Sequence, residues 1–147
     1  MIRFCLALTF SLGFAVVASP CYSADGVREA PEGFTALFNG QDLTGWHGRQ
    51  PDLDPRKWEG ISPDKRDAWN ADMRKNWTVK DGALVNGGQG VYLTTDKEYG
   101  DIELLIDYKT VARADSGIYL RCTPQVQIWD YTDKSKFGLG ADKGSGS

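Results

Sequence analysis

The alternation between Asp115 and Asp130 restricts this chain more than any other feature. In Gly117-Ile118-Tyr119-Leu120-Arg121, and again in Gln125-Val126-Gln127-Ile128-Trp129, branched apolar side chains fall at every second position. That is the period of a half-buried β-strand, not of a helix. Ile118, Leu120, Val126 and Ile128 form one face of two short strands, and Tyr119, Arg121, Gln125, Gln127 and Trp129 form the other. A face turned to plain water more often carries Lys, Glu, Thr and Ser, whereas this one mixes two aromatic rings, a guanidinium and two amides. Flat rings stack on a pyranose and forked donors and acceptors match its hydroxyls, so the face has the chemistry of a carbohydrate site. The alternative that these residues leave open is a sheet face covered by a loop of its own chain.

Strand signals recur upstream. Phe34 to Phe38 reads as a first strand followed by the turn pair Asn39-Gly40, and Trp77 to Lys80 runs through Asp81-Gly82 into Ala83 to Asn86. Both pairs tolerate positive φ and read as hairpin turns. Val91 to Thr94 is a further strand, and Asp101 to Thr110 is the longest, with Ile102, Leu104, Ile106 and Tyr108 alternating against Asp101, Glu103, Leu105 and Asp107. Gly87, Gly88 and Gly90 read as turn glycines, because no Lys-Ser or Lys-Thr pair and no helical pattern follows them. Trp46 reads as core. Gly48 to Asn76 breaks the pattern: it is rich in proline and charge, and Asp54-Pro55 and Ser62-Pro63 each set a capping residue before a proline. They predict a short turn over 55–58 and a helix over about 63–74. Trp58 and Trp69 in this insert either roof a binding cleft or pin the segment down as a satellite cluster.

The first residues read as an export leader: Arg3, then an apolar run to Ala18, then small residues with cuts expected after Ser23 or Ala24. Pro20 before Cys21 disfavours a lipoprotein signal. Removal of residues 1–24 takes away one charge, Arg3, and moves the net charge from -3 to -4. Such a chain has no electrostatic reason to bind nucleic acid or an anionic membrane. Cys5 and Cys21 leave with the leader, so Cys122 has no partner for a disulfide and reads as a space-filling residue. The expected location is secreted or periplasmic.

The run Ser116-Gly117-Ile118-Tyr119-Leu120-Arg121 with Gln125-x-Gln127-x-x-Asp130 resembles the 3-keto-disaccharide hydrolase family, also known as the domain of unknown function 1080. Three further stretches resemble it in the same order: Phe34 to Trp46, Trp77 to Leu84, and Thr94 to Tyr108 with Tyr99-Gly100-Asp101 opening a strand. Together they cover residues 33 to 147, a single domain. The resemblance implies an all-β, concanavalin A-like jelly-roll sandwich, here with a short helical insert and cut short at its C-terminus, acting on glycosides oxidised at C3. This chain carries Gln125 where many members carry Glu.

A ketone at C3 acidifies the proton on C2, so that a base can remove it and the glycosidic oxygen at C1 can leave. Such an enzyme needs a base, a group that stabilises the enolate and an acid for the leaving oxygen. Arg121 is the candidate enolate partner, being permanently charged and forked. Glu103, Asp107 and Asp130 are the candidate acids and bases, and Tyr119, Gln125, Gln127 and Trp129 the candidate substrate contacts. The cofactor is left open: a divalent metal held by His47, the chain's one histidine, with acidic residues can replace the arginine. Two rivals stand beside this chemistry: hydrolysis by a pair of carboxylates, and a non-catalytic carbohydrate-binding module on the same sandwich.

Overall fold

The computed structural model describes residues 2–7, 29–50, 57–120 and 125–145. The chain divides into two compact units, one of Met1–Leu53 with Lys57–Tyr108 and one of Asp54–Arg56 with Lys109–Ser147. The described residues are strand-rich, with three antiparallel sheets and one long helix.

In the first unit, β1 (Ile2–Ala7) pairs along its whole length with β7 (Glu103–Tyr108). On its other side β1 meets β2 (Phe34–Ala36) and, at Ile2, β5 (Ala83–Asn86). This strand arises inside the segment read as a leader, where Ile2, Phe4 and Leu6 alternate with Arg3 and Cys5. β4 (Trp77–Lys80) closes the sheet as a hairpin with β5, Lys80 opposite Ala83, across Asp81 and Gly82 at φ 51° and 67°. Both central residues are left-handed, which is the two-residue turn that Asp-Gly favours.

Asn39-Gly40 behaves differently from its expectation. β2 pairs with β1, while β3 (Trp46–Arg49) pairs with β6 (Tyr92–Thr95), so no hairpin spans it. Gly40 does have positive φ, at 78°. Asn39, however, uses its side chain: Oδ1 accepts from the N–H groups of Gln41 and Asp42, and Nδ2 donates to Asp42 Oδ1 at 2.7 Å. Short amide side chains close loops in this way without strand pairing.

Helix α1 (Pro63–Asn76) matches the insert's signals. Ser62 is extended (φ -62°, ψ 149°) and Pro63 supplies the fixed φ of the first turn, although the serine hydroxyl makes no capping bond. Arg74 and Lys75 sit in the last turn, where the helix dipole favours cations. The helix is polar and buries only Trp69 and Met73, so packing rather than propensity holds it. Gly48 of β3 lies under it so closely that a Cβ there would stand 2.2 Å from the Trp69 carbonyl oxygen. Gly48 N–H donates to Asn70 Oδ1, and Val91 N–H to Asp72 Oδ2.

Two apolar clusters fill this unit: Phe38, Trp46 and Leu84 form one, and Trp69, Met73 and Val91 the other. Leu43, Trp77 and Leu93 pack against both and join them. Trp46 is core, as expected. Trp58 packs on the second cluster, its ring 6.3 Å from Trp69, so the insert's tryptophans pin the segment to the helix.

The second unit holds the hairpin of β8 (Asp115–Tyr119) and β9 (Gln125–Trp129). Two 3-10 turns follow, Lys134–Leu139 and Ala141–Lys143.

Candidate functional site

The register of β8 and β9 sets Asp115 opposite Trp129, Gly117 opposite Gln127 and Tyr119 opposite Gln125. Residues directly opposite one another share a sheet face. One face therefore carries Asp115, Tyr119, Gln125, Gln127 and Trp129; Ser116, Ile118, Val126 and Ile128 lie on the other. This is the division that the alternation predicts, with Asp115 added. Ile128 is the best-buried residue of the apolar face at 1% exposure, while Val126 is 38% exposed.

Glycine at 117 has a local reason. A Cβ there would stand 2.0 Å from Gln125 Nε2, so the missing side chain lets the Gln125 amide lie across the strand. The polar face is tied together at its other end. Gln127 Nε2 donates to Asp115 Oδ1 at 2.9 Å, and Lys136 Nζ donates to Asp115 Oδ2 at 2.5 Å. The same ammonium lies 5.4 Å from the centre of the Trp129 ring, within cation–π range. The Lys136 side chain is only 22% exposed, against 52% for Asp115. Asp133 holds the turn that presents it: its carboxylate accepts from Ser135 N–H and Oγ–H. Chiefly that hydroxyl bond holds the Asp133 carboxyl below the usual range.

The sequence does not single out Asp115 or Lys136 as site residues. Asp115 was legible there, since the same period of two that places Gly117 and Tyr119 places it on their face. Lys136 had no such signal, because it comes to the hairpin from a turn that strand periodicity cannot read.

Asp130 is differently employed. Oδ1 accepts from the Thr132 N–H and hydroxyl, and Oδ2 from Arg113 N–H at 2.6 Å. The Thr132 hydroxyl first, then the two backbone donors, hold its carboxyl below the usual carboxylate range. Arg113 is left-handed at φ 62°, a conformation that costs a side-chain-bearing residue about 1–2 kcal/mol. Asp130 thus braces the loop into β8, and a carboxylate so committed is a weak base.

Glu103 and Asp107 lie in the first unit, on the exposed positions of β7 while Leu104 and Ile106 alternate inward. Arg121 and Cys122 lie outside the described residues. His47 also belongs to the first unit, where its Nδ1 is 2.8 Å from Asp96 Oδ1 and its ring 4.6 Å from that of Trp58. Among the described residues no three His, Cys, Asp or Glu side chains gather as metal ligands. The His47–Asp96 pair alone does not make a metal centre. No described helix is long and apolar enough to cross a membrane.

A family model for a 3-keto-alpha-glucoside-1,2-lyase-like domain matches residues 33–147. No curated protein and no solved structure matches the chain.

Proposed function

The chain belongs to the 3-keto-alpha-glucoside-1,2-lyase-like family, and from that membership we propose that it is an exported enzyme that cleaves the glycosidic bond of glycosides oxidised at C3. The observation that carries this reading is the register of β8 and β9, which gathers Tyr119, Gln125, Gln127, Trp129 and Asp115 on one face inside the family-matched segment. Rings, amides and a charge on a single face suit a sugar carrying both hydroxyls and a ketone. The larger architecture belonging to this reading is a concanavalin A-like jelly-roll sandwich.

The chemistry runs by elimination and hydration. A base takes the proton on C2; the C–H electrons form a C2–C3 double bond and the carbonyl electrons move to O3. The enolate then collapses, restoring the ketone, forming a C1–C2 double bond and breaking C1–O, and the leaving oxygen takes up a proton. Water adds across C1–C2, its oxygen to C1 and a proton to C2, giving the net products of hydrolysis. Tyr119 and Trp129 offer the rings for stacking, and the Lys136 ammonium stands over the ring of Trp129. Arg121 keeps its assignment as a partner of O3. Asp130, braced as it is, serves the loop.

The test is incubation of the purified protein with a 3-keto-disaccharide and with its unoxidised parent. Monosaccharide released from the keto sugar alone is the expected result. Release from the parent would favour hydrolysis by paired carboxylates, and binding of either sugar without cleavage would favour a carbohydrate-binding module.

A further inference from the structure

Lys136 is an unusual lysine. The residue type keeps its ammonium in water almost everywhere, since its long chain carries much rotamer entropy and its charge is costly to desolvate. Here the side chain is 22% exposed and fixed at two points, the Asp115 carboxylate and the Trp129 ring. An ion pair on a protein surface contributes little stability, about 0–1 kcal/mol, so the pair does not account for the pinning through stability. The asymmetry of the pair is informative. Both oxygens of Asp115 accept hydrogen bonds, Oδ1 from Gln127 and Oδ2 from Lys136. The carboxylate is thus engaged as an anchor. An ammonium has three N–H donors, and the described contact with Asp115 uses one. The cluster thus holds a positioned cation against Asp115 and Trp129, two residues of the face that also carries Tyr119, Gln125 and Gln127.

We propose that Lys136 is a catalytic residue, the hydrogen-bond donor that carries the negative charge developing on O3 of a 3-keto-glycoside, and that Asp115 is its positioning residue. The assignment rests on the proposed cleavage of 3-keto-glycosides and deepens it. When the base takes the C2 proton, the electron pair of the carbonyl moves to O3. A Lys136 N–H donates a hydrogen bond to that oxygen, and no proton changes hands. The ammonium remains an ammonium through enolate formation and collapse. Asp115 keeps the cation aimed, and the indole of Trp129 supports it from beneath at no cost in charge. A donor fixed before the reaction is worth far more than a mobile one, because nothing has to reorganise as the charge appears.

The experiment uses the whole chain, a 3-keto-disaccharide and three variants: Lys136→Met, Lys136→Arg and Asp115→Asn. Two quantities are read, kcat against KM for cleavage, and the rate at which the C2 proton of the keto sugar exchanges for deuterium in D2O. Lys136→Met should lower kcat and the exchange rate together by about 100- to 1,000-fold, the loss typical of one oxyanion donor, while KM changes little. Lys136→Arg, which keeps a cation, should recover much of that loss. Asp115→Asn should lower both rates by a smaller factor. Thermal midpoints separate chemistry from folding, and Lys136→Gln replaces Lys136→Met if the latter does not fold. A folded Lys136→Met or Lys136→Gln that cleaves and exchanges like wild type overturns the assignment while leaving the proposed function standing. Wild-type protein that neither cleaves nor exchanges the keto sugar overturns both.

Discussion

Carboxylates that look alike in the sequence divide by what already holds them. Asp130 directly follows β9 and reads as an acid or base, yet three donors from Thr132 and Arg113 occupy its oxygens. Periodicity places a residue on a face and says nothing of which backbone N–H will claim its side chain. Asp115 shows the converse, legible by its spacing but important only through a lysine from elsewhere. A pH test follows for the braced aspartates. Asp42, Asp130 and Asp133 are all lowered from an ordinary value of 3.8, chiefly by the side chains of Asn39, Thr132 and Ser135 respectively. A carboxylate with a depressed folded pKa contributes stability above its unfolded value and loses it as pH falls through the folded one. Urea midpoints should therefore be flat from about pH 7 to pH 5 and drop below about pH 4. Asp130→Asn should shrink that drop while keeping turnover. If the variant retains its fold at neutral pH and loses all activity, Asp130 acts in the chemistry after all.

At the scale of elements, local turn chemistry was legible wherever it acted locally. Asp81-Gly82 closes the β4–β5 hairpin with the expected backbone, and Ser62-Pro63 opens α1. Asn39-Gly40 misled because the same residues serve a side-chain-closed loop as well as a hairpin, and strand pairing decides between them. The hairpin of β8 and β9 offers a test of its two faces. Ile128 is 1% exposed on the apolar face, so Ile128→Ala should destabilise the protein by about 2–5 kcal/mol. The affinity of the remaining folded protein for a 3-keto-disaccharide should hardly change. Gln127 faces the opposite way, one residue before, and holds Asp115. Gln127→Ala should do the reverse, lowering kcat with a smaller shift in the urea midpoint. Loss of sugar binding in Ile128→Ala with unchanged stability would show that the register is displaced by one residue.

Across the whole molecule, strand-rich character was legible from alternation alone, since every strand from Trp77 onward falls on a predicted run, β6 alone reaching one residue past its run, to Thr95. The order of strands was not, because pairing between distant segments leaves no mark on local periodicity. β1 is the sharpest case. Its residues read as an export leader, and they form the strand that joins β7 to β2 and β5. Cleavage after Ser23 or Ala24, as the proposed export requires, would remove it. β7 and β2 pair only with β1 among the described strands, while β4 and β5 also pair with one another. Hydrogen exchange can read this difference, since an amide bonded inside a sheet exchanges only when that pairing opens. In the full chain the amides of Glu103–Tyr108 that face β1 should be protected. In a chain starting at Asp25 they, and those of Phe34–Ala36, should exchange faster by about tenfold or more. The amides of Trp77–Lys80 and Ala83–Asn86 that bond across their own hairpin should keep their protection and act as the internal control. Equal protection of β7 in both chains would mean that β1 does not guard that edge in solution.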